Sequence, residues 1–290
     1  MNFSELKFNC SDLPQLMSNG RENKPLNDAQ KMQFAKIKAK IYNGIKLTKT
    51  DLDNYEKFSK REDADGKSVL LCKANETVLK RIYSREKYGK QALLGKENIP
   101  HLVNGVVSER DSLKLASEVL GIKPKVYKDT ISNDHIKGRI DAYSGSSIKK
   151  AKHIYEIKTA SNYETFLDFI DNAQEESLYY WQMQGYLSIT GAKRGTLIHC
   201  CTSYHPDIVT QQVNIYLSRI KGLNLPHEYV SKRIEHIRKN MNFDDIPAHQ
   251  RVYAITIERN DDDIDAIRQK MALCRDWLVS FEERCSRMNK

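Results

Sequence analysis

Two stretches decide how this chain is read: Lys137-Gly138-Arg139-Ile140-Asp141 and, beyond a turn at Gly145-Ser146-Ser147, His153-Ile154-Tyr155-Glu156-Ile157-Lys158. Both start as apolar, strand-like sequence and end in charge. Strand side chains alternate between the two faces of a sheet. In the second stretch Ile154, Glu156 and Lys158 therefore share one face, and Tyr155 and Ile157 share the other. Asp141 sits on the preceding strand, which the glycine-serine turn folds back against the second. A carboxylate and an ammonium thus lie side by side on an apolar strand, with a second carboxylate across from them.

Working outward, the flanking sequence changes between helical and strand periods. Residues 28–43 carry Phe34, Ile37, Ile41 and Tyr42 at helical spacing, with Asn27 or Asp28 as cap. A second helix is expected over 48–59, capped by Thr48 or Thr50, and a polar loop over 60–68. A helix over 69–89 has Val69, Cys72, Val78, Leu79 and Ile82 as its apolar side; its Arg81, Arg85 and Lys87 read as a solvated surface. Residues 103–120 read as one amphipathic helix with Val106, Val107, Leu113, Leu115, Val119 and Leu120 inward and Gly121 as C-cap. Strands are expected over 125–130, 136–143 and 153–159, then a long helix over 172–190. Further strands over 196–202 and 209–216 precede a basic helix over 218–243, a strand over 251–258 and a closing helix over 262–287. This order predicts an α/β fold, a central mixed β-sheet flanked by helices with helical insertions, in a single domain spanning 1–290. Within it, 1–100 is mainly helical, 101–204 holds the core, 205–250 is an insertion, and 251–290 supplies the last strand and helix.

The composition is that of an ordinary globular protein with a basic balance: 40% hydrophobic, 29% charged, formal net charge +9. Such a charge suits a polyanionic partner without requiring one. No apolar run reaches the roughly 18 residues that span a bilayer. Residues 1–10, with Glu5 and Lys7 among them, do not read as a signal peptide. The expectation is a cytoplasmic protein with no membrane partner. The cysteines form no C-x-x-C pair, so neither a zinc nor an iron–sulfur framework is expected, and the thiols read as reduced.

The charged strand ends suit phosphodiester hydrolysis. Mg²⁺ is a hard ion that takes oxygen ligands, commonly one or two carboxylates with water and substrate phosphate. Asp141 and Glu156 can supply the carboxylates and the Ile157 carbonyl a further oxygen. Lys158 can orient the attacking water or stabilise charge developing on the phosphate. Glu-x-Lys alone is more often a surface ion pair; the surrounding motifs give it weight.

Asp141, Glu156-Ile157-Lys158 and their spacing resemble the signature of the PD-(D/E)XK nucleases, with Ile140 in place of the motif proline. Gly105-Val106-Val107-Ser108-Glu109 resembles the G-x-x-x-E of the first core helix in the lambda-exonuclease and YqaJ-like viral recombinase branch, whose glutamate reaches the metal site. Gln182-Met183-Gln184-Gly185-Tyr186 is similar to that branch's Q-x-x-x-Y motif on the helix after the catalytic strand. Gln182 and Tyr186, four apart, project from one helical face. Gln182 can bond phosphate or the nucleophilic water; Tyr186 can close the side of the site or touch the DNA backbone. Near the N-terminus, Asn9-Cys10-Ser11-Asp12 and Gly20-Arg21-Glu22-Asn23-Lys24 look similar to the branch's DNA-end contacts, with Ser11 capping a helix and Arg21 and Lys24 on phosphates.

The resemblance covers roughly 1–43, 103–204 and, loosely, 251–285, leaving 44–100 and 205–250 as insertions. It implies a restriction-endonuclease-like core and a 5′–3′ exonuclease acting at double-stranded DNA ends. It implies Mg²⁺, with Mn²⁺ substituting, held by Glu109, Asp141, Glu156 and the Ile157 carbonyl. It also implies phage-type recombination in a bacterial host cytoplasm, beside a single-strand annealing protein, and a homotrimer. A RecB-like repair nuclease, an endonuclease of the same superfamily, and a DNA-binding module that has lost catalysis are the alternatives.

Overall fold

The computed structural model describes residues 2–18, 26–59, 71–90, 100–172 and 177–287. The chain divides into two compact units, 1–91 with 262–290, and 92–261.

In the first unit, a short extended segment β1 (Phe8–Asn9) leads through a 3-10 turn, Cys10–Asp12, into α1 (Leu13–Leu16). Ser11 is exposed in the middle of that turn. The expected cap at Ser11 is not formed. The turn runs straight into α1, which leaves Asn9 and Asp12 at the cap positions, and neither side chain caps. Arg21 and Lys24 lie outside the described residues.

The helix α2 (Asp28–Tyr42) opens on Asn27, which forms a capping box with Gln30. Phe34 and Ile37 are buried as expected, with Leu26 and Phe58, whereas Ile41 and Tyr42 are exposed. Thr48 caps α3 (Lys49–Ser59): its Oγ1 accepts from the Asp51 amide at 3.1 Å, and the Asp51 carboxylate accepts from the Thr48 amide at 3.0 Å. The helix α4 (Lys73–Tyr88) starts after Cys72, and its buried Asn75 donates to the carbonyls of Gln15 and Leu16 at 2.9 and 3.0 Å. The cations of α4 are held within the unit. Arg81 donates to Gln15, Arg85 pairs with Asp12 and Glu86, and Lys87 pairs with Glu282 of the C-terminal helix α11 (Asp261–Arg287).

The second unit begins with α5 (Pro100–Val107) and α6 (Glu109–Leu120). The single helix expected over 103–120 breaks at Ser108, where ψ opens to 4°. Val106 and Val107 are consequently exposed instead of inward. Gly121 closes α6 in the left-handed region, φ 64°, as a C-cap glycine does. The expected strands over 125–130 and 136–143 each contract. The first leaves β2 (Lys125–Val126), with β3 (Ile131–Ser132) beyond it. The second divides into β4 (Ile136–Gly138) and β5 (Ala142–Gly145), so Asp141 stands one residue before a strand.

With β6 (Ala151–Thr159), β7 (Arg194–Cys200) and β8 (Val252–Glu258), the main sheet has the order β2-β5-β6-β7-β8. The β6–β7 pair is parallel and its neighbours are antiparallel, so the sheet is mixed. A parallel pair needs a crossover. Here it is α7 (Tyr163–Asn172) and α8 (Ser177–Thr190), where one helix over 172–190 was expected.

Residues 209–216, expected as a strand, belong to the helix α9 (Pro206–Arg219). Val209, Val213, Tyr216 and Ile220 recur at i, i+4, i+7 and i+11, and Pro206 stands in the first turn behind the cap residue His205. The basic helix is α10 (His227–Asn240), shorter than the 218–243 expected because residues 220–226 form the connection.

The alternation of β6 gives each sheet face its own helix. Ile157 packs with Leu115 and Ala116 of α6, together with Ile198, Cys200 and Val252. Ile154 and Glu156 face α8. A methyl group placed on Gly195 would overlap both Met183 of α8 and Ile154 of β6. The absence of a side chain there lets α8 lie close against the sheet.

Candidate active site

Glu156 is 5% exposed on the α8 face of β6. Its Oε1 accepts from Lys158 Nζ at 2.6 Å and from Gln182 Nε2 at 2.9 Å. Its Oε2 is buried with no hydrogen-bond partner. Gln182 spends its second N–H on the hydroxyl of Tyr186, also at 2.9 Å. Spacing of four along α8 therefore does what the sequence predicted: both side chains sit on the site's face. Tyr186 is buried, so it forms part of the wall.

Asp141 enters from the adjacent chain. Its Oδ2 accepts from the Ile157 amide at 2.7 Å, which fixes the carboxylate beside the strand. Burial first, and then the neighbouring Glu156 charge, push the Asp141 pKa up to about 8; the Ile157 amide and Lys158 pull the other way, and Glu109 adds to the repulsion. Burial works against the Lys158 ammonium too, but Glu156, and more weakly Asp141, outweigh it and hold its pKa above the ordinary lysine value. Lys158 Nζ also lies over the Tyr179 ring, 5.1 Å from its centroid.

Glu109 is the first residue of α6, a position where a carboxylate is favoured by the helix dipole. The start of that helix is bolted in place. Buried Ser112 bonds the hydroxyls of Thr159 and Thr202 at 2.8 and 3.3 Å, at the ends of β6 and β7. Buried Asn104 accepts from the Ser108 hydroxyl and from the His205 amide, both at 3.0 Å.

The structure thus brings together Asp141, Glu156, Lys158, Gln182 and Tyr186, and puts Glu109 within electrostatic reach of Asp141. Ser11 belongs to the other compact unit.

The donors suit a hard divalent cation. Two carboxylates repel each other in a buried setting, and one of their oxygens is orphaned. A cation between them offsets both penalties. All the donors are oxygens, as Mg²⁺ and Mn²⁺ prefer. Among the described residues no group of three or more His, Cys, Asp or Glu side chains is set to hold a metal ion. The protein's own share at this centre is the Asp141–Glu156 pair.

Sequence reasoning passed over His199. It pairs in register with Lys158 on β7, is 7% exposed, and stacks on Phe169 of α7 with Tyr179 at its edge. Its Nε2 has no partner. Burial, reinforced by the Lys158 charge, lowers its pKa to about 3, so the ring is neutral. Tyr179 was also missed, although it lies three residues before Gln182 on the same helical face.

No family model and no curated protein sequence matches the chain. Solved structures do. A phage-related exonuclease from Haemophilus somnus 129PT superimposes with a TM-score of 0.64 over 97% of this chain and 97% of its own, at 16% identity. An alkaline exonuclease from Laribacter hongkongensis, LHK-Exo, gives 0.51 over 76% of this chain and 88% of its own, at 15% identity. The same enzyme in complex with dAMP gives 0.51 over 75% and 86%, at 14% identity. The chain therefore shares the fold of these exonucleases, a mixed α/β fold as expected from its sequence. The first match takes in nearly the whole chain, so most of 44–100 and 205–250 has a counterpart there.

Proposed function

We propose that this protein is a metal-dependent DNA exonuclease that hydrolyses phosphodiester bonds at duplex ends, with Asp141, Glu156 and Lys158 at its centre. The observation that carries the reading is the buried carboxylate pair with one orphaned oxygen, set against a lysine that burial fails to neutralise. An exonuclease fold surrounds it.

Asp141 and Glu156 would hold Mg²⁺, with the Ile157 carbonyl as a further oxygen and Glu109, within electrostatic reach of Asp141, adding negative charge near the cation. A bound divalent cation lowers the pKa of water and polarises a phosphoryl oxygen. Lys158 stays an ammonium, so it acts by donating hydrogen bonds. It orients the attacking water and stabilises negative charge building on the phosphate. Gln182 has both N–H groups committed to Glu156 and Tyr186 and acts as a positioning residue, holding Glu156 Oε1 and leaving Oε2 as the oxygen that would serve a cation. Tyr179 and Tyr186 wall the site and exclude bulk water, which strengthens every charge interaction inside it. By the same resemblance, the direction is 5′ to 3′, the enzyme assembles as a trimer, and it works beside a single-strand annealing protein in phage-type recombination.

The test is digestion of linear duplex DNA labelled at either the 5′ or the 3′ end, with Mg²⁺ or Mn²⁺ and with EDTA, beside a covalently closed circle. Expected are metal-dependent loss of the linear DNA alone, release of the 5′ label first, and a Glu156→Gln variant slower by on the order of 10³-fold. Cutting of the circle would replace the exonuclease by an endonuclease. Full activity in Glu156→Gln would remove the site from the mechanism.

A further inference from the structure

The chain leaves the sheet after β7 and makes a helical hairpin, α9 and α10, before it returns as β8. The hairpin is anchored at the sheet end that carries the candidate site. The His205 amide donates to Asn104, which also bonds Ser108 ahead of Glu109, and the Tyr204 hydroxyl donates to the Ser161 carbonyl at 2.6 Å, just past Lys158.

The helix α10 buries no residue fully. Val230, Ile234, Ile237 and Met241 form a half-buried stripe, spaced as one helical face, and α10 packs on α9. Tyr229, Lys232, Arg233, His236, Arg238 and Lys239 are exposed. Only Lys232 has an ion-pair partner, Glu228 at 2.7 Å. Among the described residues Arg219, Lys221, Arg233, Arg238 and Lys239 pair with no carboxylate, in contrast to Arg85 and Lys87 of α4. Cations near the end of a helix favour its dipole, which accounts for Arg219 and Lys221 at the end of α9 and for Arg238 and Lys239 at the end of α10, but not for Arg233. Lys239 and Asn240 line a 610 Å³ cleft together with Ser161, Asn162 and Tyr204, and with the carboxylates Glu164 and Asp245, so the end of α10 borders a polar cleft that reaches the exit of β6.

We infer that the α9–α10 hairpin is an electropositive arm that binds the phosphate backbone of the duplex feeding the site. This rests on the nuclease reading for the identity of the duplex. Unpaired, solvated cations on a rigid helix release counterions when they meet closely spaced phosphates, and that favours a nucleic-acid backbone without regard to sequence. An anionic membrane fits less well. Insertion at a bilayer surface needs an exposed apolar helix face, and the apolar stripe of α10 is half-buried on a helix that packs against α9.

The experiment measures binding of a fluorescein-labelled duplex in EDTA, where nothing is cut, over a series of salt concentrations. Wild type is compared with a triple variant carrying Arg233→Gln, Arg238→Gln and Lys239→Gln. A control of equal charge change carries Lys36→Gln, Lys46→Gln and Lys49→Gln on exposed positions of the other unit. The arm variant should bind on the order of 10-fold or more weakly, with a plot of log affinity against log salt shallower by about 2 to 3. The control should keep the wild-type slope. An unchanged slope in the arm variant, an equal loss in the control, or loss of binding to phosphatidylserine vesicles in place of DNA would each overturn the inference. If wild type never cuts DNA yet the arm variant alone loses binding, the arm stands and the nuclease reading falls. If wild type cuts and the arm variant binds normally, the arm falls by itself.

Discussion

One oxygen of Glu156 is claimed by two donors and the other by none. That asymmetry, with the charge of Asp141 close by, makes the metal-free site a source of instability that depends on pH. Asp141 keeps its proton in the folded chain up to about pH 8 but releases it near 4 when unfolded. The stability it contributes is complete below 4 and is lost as pH rises through 8. Thermal melts in EDTA should therefore fall from pH 5 to pH 9, and Asp141→Asn, which can still accept from the Ile157 amide, should flatten that fall while abolishing cleavage. His199 has the opposite sign. Its pKa is depressed to about 3, so its contribution is complete above its unfolded value near 6.5 and is lost as pH falls below it. Replacing His199 with Phe should remove about 1–2 kcal/mol of the stability difference between pH 5 and pH 7, measured by urea unfolding at the two values. An unchanged difference would show that the buried ring is not what titrates. The Glu156–Lys158 pair was legible because a period of two puts both on one face of β6, whereas Asp141, expected within a strand, stands one residue before β5. His199 was not, because a single imidazole in the apolar run from Thr196 to Thr202 looks like core until its register partner is known.

At the scale of elements, the site depends on how closely α8 approaches the sheet. Gly195 has Met183 and Ile154 where a side chain would be. Gly195→Ala should push α8 outward and lengthen the Gln182–Glu156 contact. The expected result is a loss of about 1–3 kcal/mol in stability from overpacking, and a fall in kcat of roughly 10-fold or more from misplaced groups, with KM for DNA little changed. A fall in stability with kcat intact would mean that Gln182 does not position Glu156. Elements with a local cause were readable: the Asn27 and Thr48 caps and the Gly121 stop are written within a few residues of where they act. Elements set by distant partners were not. The break at Ser108 is secured by Asn104, which bonds an amide 101 residues further on. Residues 209–216, rich in β-branched and aromatic side chains, read as a strand, and the start of α9 at Pro206 makes them helix.

At the scale of the whole molecule, the net charge of +9 is unevenly used. Arg85 and Lys87 of α4 are neutralised inside their own unit, while the cations of α9 and α10, Lys232 apart, are left to solvent. Composition reported the excess but not its address, since pairing depends on which helices meet. The strands β7 and β8 are antiparallel neighbours in register from Arg194 against Glu258 to Cys200 against Val252. Strands so arranged can be joined by a tight turn, yet the chain spends residues 201–251 between them. Closing a longer loop adds only a slowly growing entropic penalty. Mutation is therefore free to lengthen, shorten or recharge this excursion while the carboxylates on β6 stay where they are. Descendants of such a protein can change what this excursion meets without having to rebuild the centre on β6, and their divergence in sequence should be greatest here.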